Sequence, residues 1–241
     1  PWTNGYEAMI YTVWATMLAG LIFSRKSDLT LSATTLVSSM LLLFTWISYL
    51  DPTITNVVPV LNSYWLMIHV SVIVSSYGFL IMGGFLGLLS LILMIFKSNK
   101  NKEIINSKIS ELTIINEKTL IIGLFMLTIG TFLGGVWANE SWGRYWGWDP
   151  KETWALVSIL VYAFILHMRF VPGLQGKYTF NLASVIGVYS VLMTYFGVNY
   201  LLSGLHSYAA GDKVSIPMSV WVSVLIVIII AILAKLNNNK K

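Results

Sequence analysis

Three histidines, His69, His167 and His206, are the only imidazoles in this chain of 241 residues, and it has no cysteine. Thiolate metal sites, disulfides and a CxxCH haem-attachment segment are therefore excluded, so the chain cannot itself be a c-type cytochrome. An ionisable group within an apolar segment is costly and points to function, the competing reading being a neutral ring hydrogen-bonded inside a bundle. Five tryptophans, Trp137, Trp142, Trp146, Trp148 and Trp154, crowd with Tyr145 into one polar connection between two apolar runs. A connection normally carries residues that turn and solvate the backbone. This one offers flat aromatic faces, with Gly143 and Gly147 letting the backbone bend between them, a surface suited to a large planar apolar ligand. The alternative is an aromatic belt at a membrane boundary, but belts scatter over many helix ends and do not gather in one loop.

The elements that position these groups can be read outward from the tryptophans. Asp149 suits a helix N-cap, Pro150 the first helical position and Glu152 the third, where it reaches back as in a capping box. Asp149 is thus expected to be a cap and not a ligand or acid catalyst. His167 follows Trp154 by thirteen residues on the same expected helix, which puts it roughly 20 Å further along the axis.

The chain is 56% hydrophobic and only 10% charged, and apolar runs of bilayer-spanning length recur from end to end. The expected fold is all-α, a polytopic membrane helix bundle with seven spans: Tyr6–Phe23, Leu29–Leu50, Tyr64–Phe96, Thr119–Trp137, Thr153–Phe170, Tyr178–Leu202 and Met218–Leu236. Residues 1–236 form one transmembrane domain with the tryptophan-rich loop at 137–154, and 237–241 form a cytoplasmic tail. Twelve of the fifteen Lys and Arg residues fall in alternate connections, which the positive-inside rule makes cytoplasmic. Arg144, Lys151 and Lys213 lie on the other side, so the tryptophan loop is external. The net charge of +5 is a topology signal of this kind, and no nucleic-acid partner is expected. An external start with an odd helix count points to a further helix upstream or to a partner.

The third apolar run is too long for a bilayer, so its Tyr64–Ser76 end projects outside and carries His69. Ile104, Ile105, Ile109, Leu112 and Ile115 recur at helical spacing among polar residues. They predict an amphipathic helix lying on the inner surface, a solvated linker being the alternative. His206 follows the sixth span in the external segment Ser203–Tyr208. His69 and His206 therefore flank the tryptophan loop on one side of the membrane. Two neutral imidazoles on opposite faces of an iron porphyrin, with tryptophans along its plane, make a bis-histidine haem site. His167, beside Met168 and Arg169 at the inner end of its helix, has no histidine at its own depth.

The run WGRYWGWDPKETWAL, followed by an apolar helix ending in histidine, resembles the tryptophan-rich WWD signature of haem-handling proteins. Its DPKETWAL continuation resembles the CcsA (ResC) branch, the membrane half of the system II cytochrome c synthase. The resemblance implies haem b (iron protoporphyrin IX) in two positions. His69 and His206 are the external axial ligands, with Trp137, Trp142, Tyr145, Trp146, Trp148 and Trp154 around them. His167 is the transmembrane ligand, its partner histidine coming from a CcsB (ResB) half. It further implies haem transport and thioether attachment to the CxxCH of apocytochrome c, as a cytochrome c haem lyase. The setting would be the bacterial inner membrane, or the thylakoid membrane in a plastid. A haem exporter or chaperone-loading protein of the CcmC type is the alternative, and an electron-transfer cytochrome b a third reading. Discrimination rests on transfer of haem to apocytochrome by purified protein.

Overall fold

The computed structural model describes residues 5–24, 27–47, 52, 63–202, 204 and 216–238. Among them all regular structure is helical. The order is α1 (Gly5–Ser24), α2 (Asp28–Ile47), α3 (Tyr64–Ile95), α4 (Lys102–Trp142), α5 (Pro150–His167), α6 (Lys177–Leu192), α7 (Val198–Leu201) and α8 (Met218–Asn238). A 3-10 turn, Met168–Phe170, follows α5, and a π turn, Met193–Gly197, joins α6 to α7. Seven helices of the described residues are long and apolar enough to cross a membrane. The chain is a polytopic helical membrane bundle, as its composition predicts.

Two elements differ from the expected boundaries. The amphipathic stretch does not lie apart on a surface: it is the first part of α4, which runs unbroken for 41 residues. Its apolar face, with Ile109, Leu112 and Ile115 buried, packs in the bundle core. A helix parallel to a membrane and one continuing out of it have the same periodicity, so sequence pattern does not separate them. The tail also begins later, because Asn237 and Asn238 belong to α8. The Asn237 side-chain amide donates to Met94 O (3.0 Å), Ile95 O (3.0 Å) and Lys97 O (2.7 Å). It thereby reaches carbonyls at and just beyond the end of α3, where the helical ladder runs out of donors. Residues 48–50, 239–241, Arg25, Lys26 and Lys213 lie outside the described residues.

Helix α3 is the axis of the bundle, touching α1, α2, α4, α6 and α8. Its contact with α4 is an antiparallel seam in which a glycine on one helix faces a larger residue on the other. Going down α3, His69 faces Gly134, Ile73 faces Gly130, Leu80 faces Gly123, Gly83 faces Leu120 and Gly87 faces Asn116. The steps are four, seven, three and four residues on both helices, the repeat that keeps a narrow stripe facing one partner. A Cβ at Gly130 would lie 2.6 Å from Ile73 Cγ1, and one at Gly123 2.6 Å from Leu80 Cδ2. Glycine is therefore what permits the approach. In lipid, where burying apolar surface gives helices no advantage over acyl chains, such close packing and interhelical hydrogen bonds hold helices together. The hydrogen bonds are present too. Asn116 Nδ2 donates to Asn181 Oδ1 (3.1 Å) and Ser184 Oγ (2.9 Å), and Asn181 Nδ2 to Thr113 Oγ1 (2.8 Å). These tie α4 to α6 within the bundle.

A candidate site at the tryptophan end of the bundle

Helix α4 ends because Gly143 adopts a left-handed conformation (φ 70°) and its N–H bonds to Asn139 O. Helix α5 begins because Asp149 accepts from Lys151 N, Pro150 takes the first turn and Glu152 closes a capping box. The expected loop at 137–154 is therefore shorter: only residues 143–149 connect the helices, while Trp137 and Trp142 belong to α4 and Trp154 to α5. The side-chain composition of the stretch predicts a ligand surface, but indoles carry no periodicity that would mark the helix ends.

His69, near the start of α3, is buried. Its Nδ1 lies 2.8 Å from Trp65 O. A carbonyl only accepts, so the proton sits on Nδ1 and the ring's lone pair on Nε2. The imidazole stacks on Trp137 (centroids 5.4 Å apart, planes at 28°), and Trp137 meets Trp142 edge to face at 4.8 Å. His69 is the outermost layer of the α3–α4 seam. A Cβ on Gly134 would lie 3.3 Å from His69 Cδ2, so Gly134 is a residue that sequence reasoning missed, and it sets how close the ring sits to α4.

The connection folds back over α4, placing Tyr145 O 3.0 Å from where a Cβ of Gly135 would be. Trp146 and Trp148 pack edge to face at 5.7 Å. Trp142, Trp146 and Trp154 are half-buried, whereas Tyr145 is 64% and Trp148 70% exposed. Trp148 has φ 58°, a left-handed conformation that costs a non-glycine residue roughly 1–2 kcal/mol.

Helices α6 and α7 are fastened to this end by contacts that the sequence does not announce. Thr194, in the π turn, places Oγ1 2.9 Å from Ser158 Oγ and 3.1 Å from Trp154 O. Lys151 Nζ donates to Asn199 Oδ1 at 2.8 Å. A Cβ on Gly204 would lie 2.6 Å from Asp149 Oδ1, so the chain beyond α7 rests on the cap of α5. His206, two residues further on, lies outside the described residues.

His167 is at the far end of α5. Its Nδ1 is 2.7 Å from Ala163 O, so it carries the same tautomer as His69, with the lone pair on Nε2. In contrast to His69 it is exposed, on one face with the exposed Leu160 and Phe164. Arg169 just below it pairs with Glu117 of α4 (2.5 Å), at the end that also holds Lys97, Lys108 and Lys177. The structure thus brings His69 together with Trp137 and, through it, Trp142, and keeps His167 apart from them.

Among the described residues no three His, Cys, Asp or Glu side chains converge on a position for a bare metal ion. A porphyrin asks for less, since it brings four of iron's ligands and needs only axial ones. A neutral imidazole whose other nitrogen is held by a carbonyl, next to stacked indoles, fits that demand.

A family model described as Cytochrome C assembly protein matches residues 2–206. Over 212 residues the chain is 53% identical to Protein NrfI of Wolinella succinogenes, an alignment covering 88% of this chain and 23% of that protein. It is 37% identical over 237 residues to the cytochrome c biogenesis protein CcsA of Prochlorococcus marinus strain MIT 9301, covering 86% of this chain and 75% of the relative. With the CcsA of Synechococcus sp. strain CC9605 it shares 36% identity over 239 residues, covering 86% and 77%. The chain therefore spans about a quarter of NrfI and about three quarters of the CcsA proteins.

Proposed function

Because the chain belongs to the family of cytochrome c assembly proteins and is of the CcsA type, we propose that it carries haem across the membrane. At its tryptophan end it presents the haem for attachment to apocytochrome c. The observation that carries this reading is the buried His69, its lone pair fixed on Nε2 and its ring stacked on Trp137 at the head of the tryptophan connection. In this reading the tryptophan end faces outward, as the distribution of Lys and Arg predicts. Haem is the substrate. His69 and His206 are its axial ligands, and Trp137, Trp142, Tyr145, Trp146, Trp148 and Trp154 surround it.

The chain's part in the reaction is positional. Two thiols of a CxxCH segment add to the two haem vinyl groups. At each, a C–S bond forms, the thiol hydrogen goes to the neighbouring vinyl carbon, and nothing is oxidised. Holding both reactants in register removes the entropic part of such a barrier. The acceptor's own histidine then replaces one axial ligand and frees the product. Asp149 takes no part in proton transfer, since its carboxylate is occupied at the α5 cap.

His167 is a second, inner ligand in this proposal. Its exposure on the bundle's outside, beside Leu160 and Phe164, supports a ligand completed by a helix from beyond this chain, the CcsB part. The deciding experiment is reconstitution of cytochrome c maturation with His69→Ala and His206→Ala, with the haem absorption spectrum taken on the same preparations. Both variants should insert normally, lose the bis-histidine spectrum and fail to mature cytochrome c. Normal maturation by both would refute the assignment. Haem binding without transfer by the unaltered protein would favour the exporter.

A further inference from the structure

Glu152 does more than close the capping box of α5. One carboxylate oxygen, Oε2, accepts from Gly147 N (2.7 Å) and from Asp149 N (3.2 Å). These two amides flank Trp148, the residue held at φ 58° and the most exposed indole of the connection at 70%. An ordinary capping box needs only the N-cap amide, here that of Asp149. The bond to Gly147 reaches past the cap to the residue before Trp148. A residue in the left-handed region persists only where its surroundings over-determine it, and such residues gather at working sites. Two bonds from one oxygen to the amides on either side are such an over-determination.

We propose that Glu152 is a positioning residue for Trp148: by clamping the amides of Gly147 and Asp149 it forces the intervening residue into the left-handed conformation and turns its indole out of the bundle as a platform for the haem. The use of the platform rests on the haem reading above; the clamp itself does not. Glu152 touches no substrate. Without the clamp, the backbone strain favours relaxation of Trp148 out of the left-handed region by on the order of tenfold. The indole then folds down onto the connection and loses its exposure.

The test uses the full chain in membrane discs, first free of haem. Hydroxyl-radical footprinting read by mass spectrometry compares labelling of Trp148 with that of the half-buried Trp146. Glu152→Ala and Glu152→Asp should bring Trp148 labelling down to the level of Trp146. Aspartate keeps a charge at the start of α5 yet is one methylene too short to reach both amides, so it also covers the case in which the alanine variant does not fold. Glu152→Gln should keep wild-type labelling, because its amide oxygen can accept both bonds. Unchanged labelling of Trp148 in the aspartate variant, or loss of it in the glutamine variant, would overturn the clamp.

Haem retention is then measured on Glu152→Asp, Trp148→Ala and the double variant. If Glu152 acts through the indole, the aspartate substitution lowers retention in the wild-type background and adds nothing once Trp148 is alanine. A loss of equal size in both backgrounds would overturn the positioning role. Should His69→Ala and Trp148→Ala both retain haem fully, the haem reading falls, and the clamp is judged by its footprint.

Discussion

At the scale of single residues, the sequence marks His69, the tryptophans and the Asp149–Glu152 cap, because each is a rare side chain or a fixed local pattern. It does not mark Gly134, which gains its meaning only when α4 lies against α3. Gly134→Ala would put a Cβ 3.3 Å from the His69 ring, tighter than ordinary contact. The expected outcome is a folded protein with a tilted imidazole and weaker haem retention, read from the absorption spectrum against haem added. Asp149 separates capping from chemistry. Asp149→Asn should retain function because Asn caps about as well, whereas Asp149→Ala should cost about 0.5–2 kcal/mol in stability, measured by thermal unfolding in detergent. A folded asparagine variant that binds haem and matures no cytochrome would make the carboxylate chemical. Among the indoles, alanine at Trp142, Trp146 and Trp148 should reduce haem retention more than alanine at Trp14 and Trp46, which are 55% and 79% exposed on α1 and α2.

At the scale of elements, length and apolarity gave the number and order of the seven spanning helices, since a backbone in lipid has few other solutions. What the pattern left open was where helices end in polar surroundings. The first part of α4, the indoles of 137–142 and the last turn of α8 are all decided by tertiary partners: the core face of Ile109 and Leu112, the stop at Gly143, and the α3 carbonyls taken by Asn237. The close approach of α6 to α3 makes a sharp prediction. A side chain at Gly87 would meet Asn181 O at 2.7 Å and Ser184 Oγ at 2.3 Å. The first is backbone, which cannot swing aside. Gly87→Leu should push α6 off α3 and prevent accumulation of the folded protein in the membrane, measured by protease resistance and yield. Val185→Leu, which adds one methylene within a buried apolar cluster, should cost only about 1–3 kcal/mol.

For the whole molecule, the two histidines with the same tautomer stand at opposite ends of the bundle. Thirteen residues of one helix separate His167 from Trp154, roughly 20 Å, so one haem cannot reach both. His167→Ala should leave the tryptophan end competent but starved. Haem supplied on the outer side should restore maturation in that variant and not in His69→Ala. Rescue of both, or of neither, would break the proposed series.

Both histidines donate to a carbonyl of their own helix, four residues back, and every interior helix position has such a carbonyl. Down the seam from His69 the next layer, Ile73 against Gly130, offers the same two supports: a glycine opposite and an acceptor one turn above, the carbonyl of residue 69 itself. The two outermost layers of the seam are thus alike in form. Exchanging the pair, His69→Ile with Ile73→His, would carry the imidazole about 6 Å along the axis, with a carbonyl four residues back to hold its tautomer but away from its stacking on Trp137. An engineer could use such a transplant to set the height of an imidazole in this bundle without redesigning the facing helix.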